Sequence, residues 1–194
     1  MHLSDSPLHI GLQFGIDILV ETEIEEKTNL ERVNEFFFTP LHTAIYYGRT
    51  KYVERLIALG LDVNAKDVDG HTPLHMLAYI PYEPQDERRI ADLLLQNGAI
   101  IDAKDREGNT PLHKAVEFGE VSMANLLIRH GANVNATNEE KWTPLHYAAR
   151  DDEVLISRML IYNGAFISAK DIHGKRPADV AHPRWSVPLQ TSVE

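Results

Sequence analysis

The chain has 194 residues, and 43% of them are hydrophobic, which is enough to bury a core. No run approaches the roughly 18 apolar residues that a membrane-spanning helix needs, and the formal net charge of −10 argues against binding to the phosphate backbone of nucleic acids. The absence of cysteine excludes disulfide bonds, thiolate metal sites and thiol nucleophiles.

A four-residue phrase, Ser/Thr-Pro-Leu-His, recurs along the chain. Its copies begin at Ser6, Thr39, Thr72, Thr110 and Thr143, at spacings of 33, 33, 38 and 33 residues. A degraded copy, Arg176-Pro177-Ala178-Asp179, follows after another 33. A period of about 33 residues predicts a stacked array of repeats rather than one globular core. We expect a single repeat domain at 1–182, with repeats at about 6–38, 39–71, 72–109, 110–142 and 143–175, a capping repeat at 176–182, and a C-terminal tail at 183–194.

The first repeat departs from the later ones in three places. Glu23 stands where the later repeats have a leucine, and Lys27 replaces the glycine that ends their second helix. The stretch Glu35-Phe36-Phe37-Phe38 replaces their usual exit turn. Polar residues are expected in a terminal repeat, which has one face in solvent. Two interpretations of the phenylalanines stay open: they fold inward and cap the stack, or they form a hydrophobic contact patch.

The second repeat shows the regular pattern. Thr39 can cap a helix with its hydroxyl, and Pro40 suits the first helical position, where an N–H group is not needed. Gly48 is expected to end this short helix. Apolar residues at helical spacing predict a second helix at about 51–59, and Gly60 ends it in a left-handed conformation. Each repeat is therefore a helix pair, and it must bury its apolar face against its neighbours.

The third repeat carries five extra residues within 80–87. Pro81 and Pro84 lie in this insertion and forbid a continuing helix, so we place the insertion between the two helices of the repeat. Loops usually absorb such insertions. The insertion is thus interpreted as a passive loop, with a second contact site as the alternative.

The later repeats vary in their turns and at the C-terminus. Lys141 replaces the glycine of the exit turn in the fourth repeat, and a lysine at positive φ costs roughly 1 kcal/mol, so this turn is expected to bend differently. Arg176 and Asp179 replace the threonine and histidine of the last phrase, which suits a terminal cap. In the tail, Trp185 is expected to pack on the final helix. A short linear ligand is the alternative interpretation of the tail.

One histidine recurs in each complete repeat: His9, His42, His75, His113 and His146. Stacked helices lie about 8–10 Å apart, whereas the ligands of one metal ion must each lie about 2 Å from it. These histidines therefore cannot share an ion, and each is expected to bond its own threonine hydroxyl and a neighbouring backbone group. His71 and His173 are expected to be isolated. No glycine-rich phosphate loop or local serine–histidine–aspartate set is present, so we predict no catalytic residue, no metal site and no cofactor.

These motifs together resemble those of the ankyrin repeat family over about residues 6–182. The resemblance rests on the recurring Thr-Pro-Leu-His phrase, the Gly-Ala-Asn-Val-Asn-Ala run at 131–136, and Asp-x-x-Gly turns such as the one that ends at Gly70. It implies an all-α repeat solenoid, an ankyrin stack of about six helix-turn-helix units with short β-hairpin fingers. It also implies a concave face built from the fingers and the first helices.

The resemblance further implies a partner-binding surface on the finger tips and the exposed side of the first helices. Carried over position by position, this surface comprises Phe36, Phe38, Tyr46, Tyr47, Asp69, His71, Tyr79, Arg106, Glu107, Glu117, Phe118, Glu139, Glu140, Trp142, Arg150 and Asp151. Aromatic residues often dominate interface energy, and surrounding acids steer a basic partner. The alternative is an ordinary acidic ankyrin surface with aromatics typical of the family.

We expect a non-enzymatic protein–protein interaction module that binds a protein partner in its concave groove, as an inhibitor or a recruiter. The partner is expected to present basic and apolar residues. An adaptor or host-targeting effector module with a second site on the insertion or tail is the alternative. The start of the sequence lacks the basic region of a secretory signal, so a cytoplasmic location is expected. The chain is expected to be monomeric and to bind neither nucleic acid nor membrane.

Overall fold

The computed structural model describes residues 5–185, and within them the chain forms eleven helices and no strand. The helices are α1 Pro7–Phe14, α2 Asp17–Glu25, α3 Pro40–Tyr46, α4 Thr50–Ala58, α5 Pro73–Leu77, α6 Pro84–Gln96, α7 Pro111–Glu117, α8 Val121–Arg129, α9 Pro144–Arg150, α10 Val154–Tyr162 and α11 Pro177–Val180. The predicted all-α repeat architecture is confirmed. The contacts within the chain define two compact units, with the boundary in the sequence between Ile100 and Ile101. We call them the N-terminal body (α1–α6) and the C-terminal body (α7–α11).

The helix starts follow the sequence phrase. In the second repeat the Thr39 side chain accepts a hydrogen bond from the backbone N–H of His42, and Pro40 is the first helical residue. Thr72 caps α5 in the same way. A threonine cap contributes about 1 kcal/mol, and proline at the first position costs no hydrogen bond. The phrase therefore defines where each first helix begins.

Within each body, the histidines of the phrase bond their own threonine and a backbone carbonyl of the following finger, as predicted. The Nδ1 atom of His42 lies 2.9 Å from the Thr39 hydroxyl and accepts from the Thr39 N–H at 3.3 Å. Its Nε2 atom lies 3.2 Å from the carbonyl oxygen of His71 in the following turn. Because Nδ1 accepts a backbone N–H, the ring is neutral and carries its proton on Nε2. His146 makes the equivalent contacts in the C-terminal body.

Within the N-terminal body, α1 packs against α2 and α3, α3 against α4 and α5, and α6 against α4 and α5. The leucines of the phrase are fully buried, as are those at the predicted leucine position of α4 and α6. Burying such a side chain contributes about 1.5–3 kcal/mol. The C-terminal body repeats this order, since α9 packs against α7, α10 and α11, and α8 packs against α7 and α10.

The fingers are hydrogen-bonded turns. In the second repeat the N–H of Asp67 donates to the carbonyl of His71, and Gly70 has the positive φ of +80° that its turn requires. The Asp67 carboxylate accepts from the N–H groups of Asp69 and His71 at 2.9 and 2.8 Å. Successive fingers of this body are joined by one backbone bond, from the N–H of Val68 to Phe36. Such isolated bonds hold the fingers in register without forming a strand ladder.

The finger of the fourth repeat keeps this geometry, so the predicted change of bend at Lys141 is wrong. Lys141 takes the left-handed conformation, with φ of +59°, and donates its N–H to the carbonyl of Asn138. The Asn138 side chain accepts from the N–H groups of Glu140 and Trp142 at 3.0 and 2.9 Å. These bonds outweigh the roughly 1 kcal/mol cost of a left-handed lysine.

The insertion is packed and partly helical rather than a passive loop. Pro84 begins α6, so residues 84–87 extend the second helix by a turn. Tyr82 is half-buried, and its hydroxyl donates to the carbonyl oxygen of Ile45 in α3. Burial raises the pKa of Tyr82. The insertion thus ties the third repeat to the second.

Polar groups substitute for the missing consensus residues at both ends of the described chain. Glu23 is only 9% exposed, and its carboxylate accepts from Thr28 Oγ1 at 2.7 Å and Asn29 Nδ2 at 2.5 Å. At the other end, Trp185 donates its indole N–H to Ser157 in α10 at 2.9 Å. Trp185 is predicted to pack on the final helix, and its indole bond reaches α10, the helix before the terminal α11. Tail residues 186–194 lie outside the described residues.

Candidate partner-binding surfaces

An open cleft in the N-terminal body gathers four residues of the predicted surface. It has a volume of about 370 Å³ and is lined by Asp5, His9, Gln13, Asn34, Phe36, Phe38, Thr43, Tyr46 and Tyr47. We call this set the aromatic cleft. Its walls come from α1, α3 and the first finger, which are the elements that the family resemblance assigns to binding.

The rings of the aromatic cleft form a continuous chain. The ring centroids of Phe36 and Phe38 lie 5.8 Å apart, those of Phe38 and Tyr46 5.8 Å, and those of Tyr46 and Tyr47 5.0 Å in an edge-on arrangement. Phe36 is 49% exposed and Phe37 55% exposed, whereas Phe38 is half-buried against His42. The interpretation that the phenylalanines fold inward is therefore wrong for Phe36 and Phe37.

The polar lining of the cleft is largely fixed by the fold. Asn34 Oδ1 accepts from the N–H groups of Phe36 and Phe38 at 3.0 and 3.1 Å, and these bonds fix the backbone turn of the first finger. His9 is buried between the Ser6 hydroxyl and the Phe38 carbonyl, and burial lowers its pKa. In contrast, the Thr43 hydroxyl has no hydrogen-bond partner among residues 5–185.

Three predicted residues of the N-terminal body lie on the second finger and on α5's C-terminal side. Asp69 is exposed at the finger tip. His71 is not isolated, contrary to prediction: its ring lies 5.7 Å from that of Tyr79, and its Nδ1 atom lies 3.4 Å from the Asp67 carboxylate. Burial raises the pKa of half-buried Tyr79 to about 12. His71 and Tyr79 thus lie side by side on this part of the predicted surface.

The C-terminal body contains a cluster in which the chain's own arginine covers aromatic rings. We call Trp142, Tyr147, Arg150 and Asp151 the arginine cluster. The guanidinium carbon of Arg150 lies 5.5 Å from the Trp142 ring centroid and 4.9 Å from that of Tyr147. Both ends of the guanidinium bond Asp151, at 2.7 and 2.6 Å, and this bonding raises the pKa of Arg150. Such a cation–π contact contributes about 0.5–2 kcal/mol.

The remaining predicted residues of the C-terminal body are exposed or half-buried. Arg106, Glu139 and Glu140 are exposed on the fingers, and Phe118 is 55% exposed after α7. Glu117 lies 3.3 Å from Lys114, whose ammonium is also 3.7 Å from Asp105. Glu107 accepts from the amide of Asn109 at 3.0 Å. The acids on this surface are therefore partly neutralised by the chain itself.

Sequence reasoning missed the residue that lies four positions after the capping threonine. Thr43, Lys114 and Tyr147 share that position, and each reaches a candidate surface. Burial raises the pKa of Tyr147 to about 12, and its hydroxyl donates to Asn109 at 3.1 Å. The sequence does hold a signal, because this position varies strongly among the repeats while the histidine before it is constant.

The described part of the chain holds neither a metal-binding cluster nor a membrane-spanning helix. Residues 5–185 contain no group of three or more histidine or acidic side chains arranged to hold a metal ion. The helices there are also too short and too polar for any of them to cross a bilayer.

The sequence of the chain is similar to a family of known repeat proteins and, over shorter stretches, to individual proteins. The sequence model of the family Ankyrin repeats (3 copies) matches residues 8–105 and 83–171. The RelA-associated inhibitor of Mus musculus is 40% identical over 92 residues, which are 47% of this chain and 10% of that protein. Protein phosphatase 1 regulatory subunit 12A of Mus musculus is 51% identical over 41 residues, 21% of this chain and 4% of that protein. The chain thus matches a tenth or less of the length of these two relatives.

Proposed function

Since the chain belongs to the ankyrin repeat family, we propose that it is a non-catalytic module that binds a protein partner through its fingers and first helices. The observation that carries the proposal is the aromatic cleft, where Phe36, Tyr46 and Tyr47 are exposed side by side on binding elements of the fold. Clustered aromatic side chains commonly supply about 2 kcal/mol or more each in an interface.

The relatives support a regulatory role. One is named as an inhibitor and another as a regulatory subunit, so inhibition or recruitment of the partner is part of the proposal. We further propose that residues 1–182 act as one monomeric binding domain inside the cell. The alternative is an adaptor or host-targeting effector module with a second site on the insertion or the C-terminal tail. Within the insertion, half-buried Tyr82 bonds the preceding repeat and is the residue least available to such a site.

Affinity capture from the native source tests this function. The wild-type chain would be compared with a Tyr46→Ala/Tyr47→Ala variant and a Phe118→Ala/Arg150→Ala variant, each shown to be folded by circular dichroism. Tyr162→Ala is the matched control, because Tyr162 is 90% exposed but lies on the second helix α10. A partner retained by the control and lost by either surface variant is the expected result. A partner retained equally by all four proteins would refute the proposed surface.

A further inference from the structure

The aromatic cleft carries a more specific inference about the partner, because the repeats offer an internal comparison. Counting from the capping threonine, Thr43 and Tyr46 hold the positions that Tyr147 and Arg150 hold in the fifth repeat. In the fifth repeat these positions place a guanidinium over two aromatic rings and beside a carboxylate. The chain therefore shows what an aromatic and acidic first-helix surface of this fold can bind.

The same ingredients are present in the aromatic cleft without the cation. Phe36, Phe38, Tyr46 and Tyr47 supply the rings, and Asp5 supplies the carboxylate. Asp5 lines the cleft together with Tyr47. Burial raises the pKa of Tyr47, and the neighbouring Tyr46 and Asp5 raise it further. Ring faces and a carboxylate together attract a cation more strongly than either does alone.

No residue of the cleft lining supplies a competing positive charge. His9 is the one basic side chain in the lining, and its pKa is lowered by burial, so it is neutral near pH 7. Arg49 lies close by, but its guanidinium donates to the carbonyl oxygens of Leu12 and Gln13 at 2.8 and 3.0 Å and is not part of the lining. The cleft is therefore electrostatically suited to a cation from outside the chain.

The size of the side chain at one position explains why this space is open. Thr43 is short, and its hydroxyl is left without a partner, whereas Tyr147 fills the equivalent position and bonds Asn109. A buried hydroxyl without a hydrogen-bond partner destabilises the folded chain. A bound partner that brings a polar atom to the Thr43 hydroxyl would supply the missing hydrogen bond.

We propose that the aromatic cleft binds the cationic side chain, arginine or lysine, of a basic segment in the protein partner. This inference rests on the proposed function and names the chemistry of its partner. The arginine cluster of the C-terminal body would not take the same side chain, because Arg150 already occupies its rings. The open site is thus specific to the N-terminal body.

An NMR titration of the full ¹⁵N-labelled chain tests the charge requirement. The probes are N-acetyl-arginine amide and N-acetyl-citrulline amide, which have nearly the same shape but differ in charge. The arginine probe is expected to shift the amide signals of Phe36, Phe38 and Tyr47, and the citrulline probe to shift them several-fold less. Equal shifts from the two probes, or arginine-induced shifts spread evenly over the acidic fingers, would overturn the inference.

Variants assign the effect to the cleft. Asp5→Asn should weaken the arginine probe about threefold through loss of one charge contact near the surface, and Tyr47→Ala about two- to fivefold through loss of one ring. Tyr162→Ala is the matched control, since Tyr162 is 90% exposed on α10, outside the predicted surface, and its removal should leave binding of the arginine probe unchanged. If Tyr47→Ala is not folded, Asp5→Asn alone decides, and unaltered binding there would refute the assignment.

Removal of the internal cation gives an independent test. Arg150→Ala should create a second site, in which the arginine probe shifts the indole signal of Trp142, and failure to do so would contradict the internal comparison. Loss of partner capture by Tyr46→Ala/Tyr47→Ala without discrimination between probes would leave the proposed function standing and refute the cation site. Discrimination between probes without any captured partner would support the cation site and count against the proposed function.

Discussion

The histidines of the repeats should make the stability of the protein fall between pH 7.5 and 5.5. Nδ1 of His42 accepts the N–H of Thr39. A proton on Nδ1 would make it a donor facing the N–H of Thr39, and this hydrogen bond would be lost. His9, His42 and His146 are all buried, and burial lowers the pKa of each. The folded chain therefore resists protonation at these rings, while the unfolded chain does not.

The sign and size of the effect follow from proton linkage. Above the unfolded pKa near 6.5, each histidine is neutral in both states and its contribution to stability is complete. As the pH falls below that value, the unfolded chain binds protons that the folded chain does not, and the free energy of unfolding decreases by up to about 1.4 kcal/mol per pH unit for each histidine. Three such histidines give at most about 4 kcal/mol between pH 7.5 and 5.5.

Urea unfolding at several pH values between 7.5 and 5.5 measures this slope. His42→Gln and His146→Gln will each be less stable than wild type at pH 7.5, and each should also reduce the slope by up to about 1.4 kcal/mol per pH unit. Gln85→Ala is the control, because Gln85 is exposed and its side chain carries no titratable group, so the slope should be unchanged. Equal stability of the wild-type chain at pH 7.5 and 5.5, or an unchanged slope in both variants, would refute the reasoning.

Three further predictions concern residues where the chain departs from the regular repeat. Tyr82→Phe should lower the free energy of unfolding by about 1–2 kcal/mol in urea titrations, because the carbonyl of Ile45 loses its bond from the insertion. Lys141→Gly should raise it by up to about 1 kcal/mol, since glycine adopts φ of +59° without strain, and a decrease would contradict the strain argument. Glu23→Ala should lower hydrogen-exchange protection of α1 and α2 by about 1–3 kcal/mol through loss of its two side-chain bonds, whereas Glu25→Ala on the exposed face should not.

The scaffold could be predicted from the sequence because it depends on repeated, local chemistry. Thr39, Pro40 and His42 act within one turn of helix, and the histidine reaches only to the next finger, so one repeat predicts its neighbours. Gly60 and Gly70 reveal positive φ angles directly, because few other residues tolerate them. The predicted helix at about 51–59 accordingly differs from α4 by one residue at each end.

The departures could not be predicted, because they depend on contacts outside the local sequence. Tyr82 finds its partner in another repeat, and Trp185 finds Ser157 on a helix that is not the last. In these two cases a long-range partner decided the outcome between alternatives that were equally compatible with the sequence. Lys141 is the exception, because its turn is held by local bonds: the Asn138 side chain accepts from two N–H groups, as the Asp67 side chain does in the second finger.

The residues of the scaffold recur from repeat to repeat, whereas those of the candidate surfaces vary. This difference bears on which partner the chain can select. The buried leucines and histidines are nearly constant from repeat to repeat, so they cannot distinguish one partner from another. The position four residues after the capping threonine is threonine in the second repeat, lysine in the fourth and tyrosine in the fifth. Threonine leaves a cleft, lysine neutralises acids, and tyrosine supports an internal arginine. Because the residue at this position bears on whether a repeat presents an open or a filled surface, substitutions there should change partner choice. Thr43, Met76 and Tyr147 are all buried at this position, so each variant must also be shown to be folded.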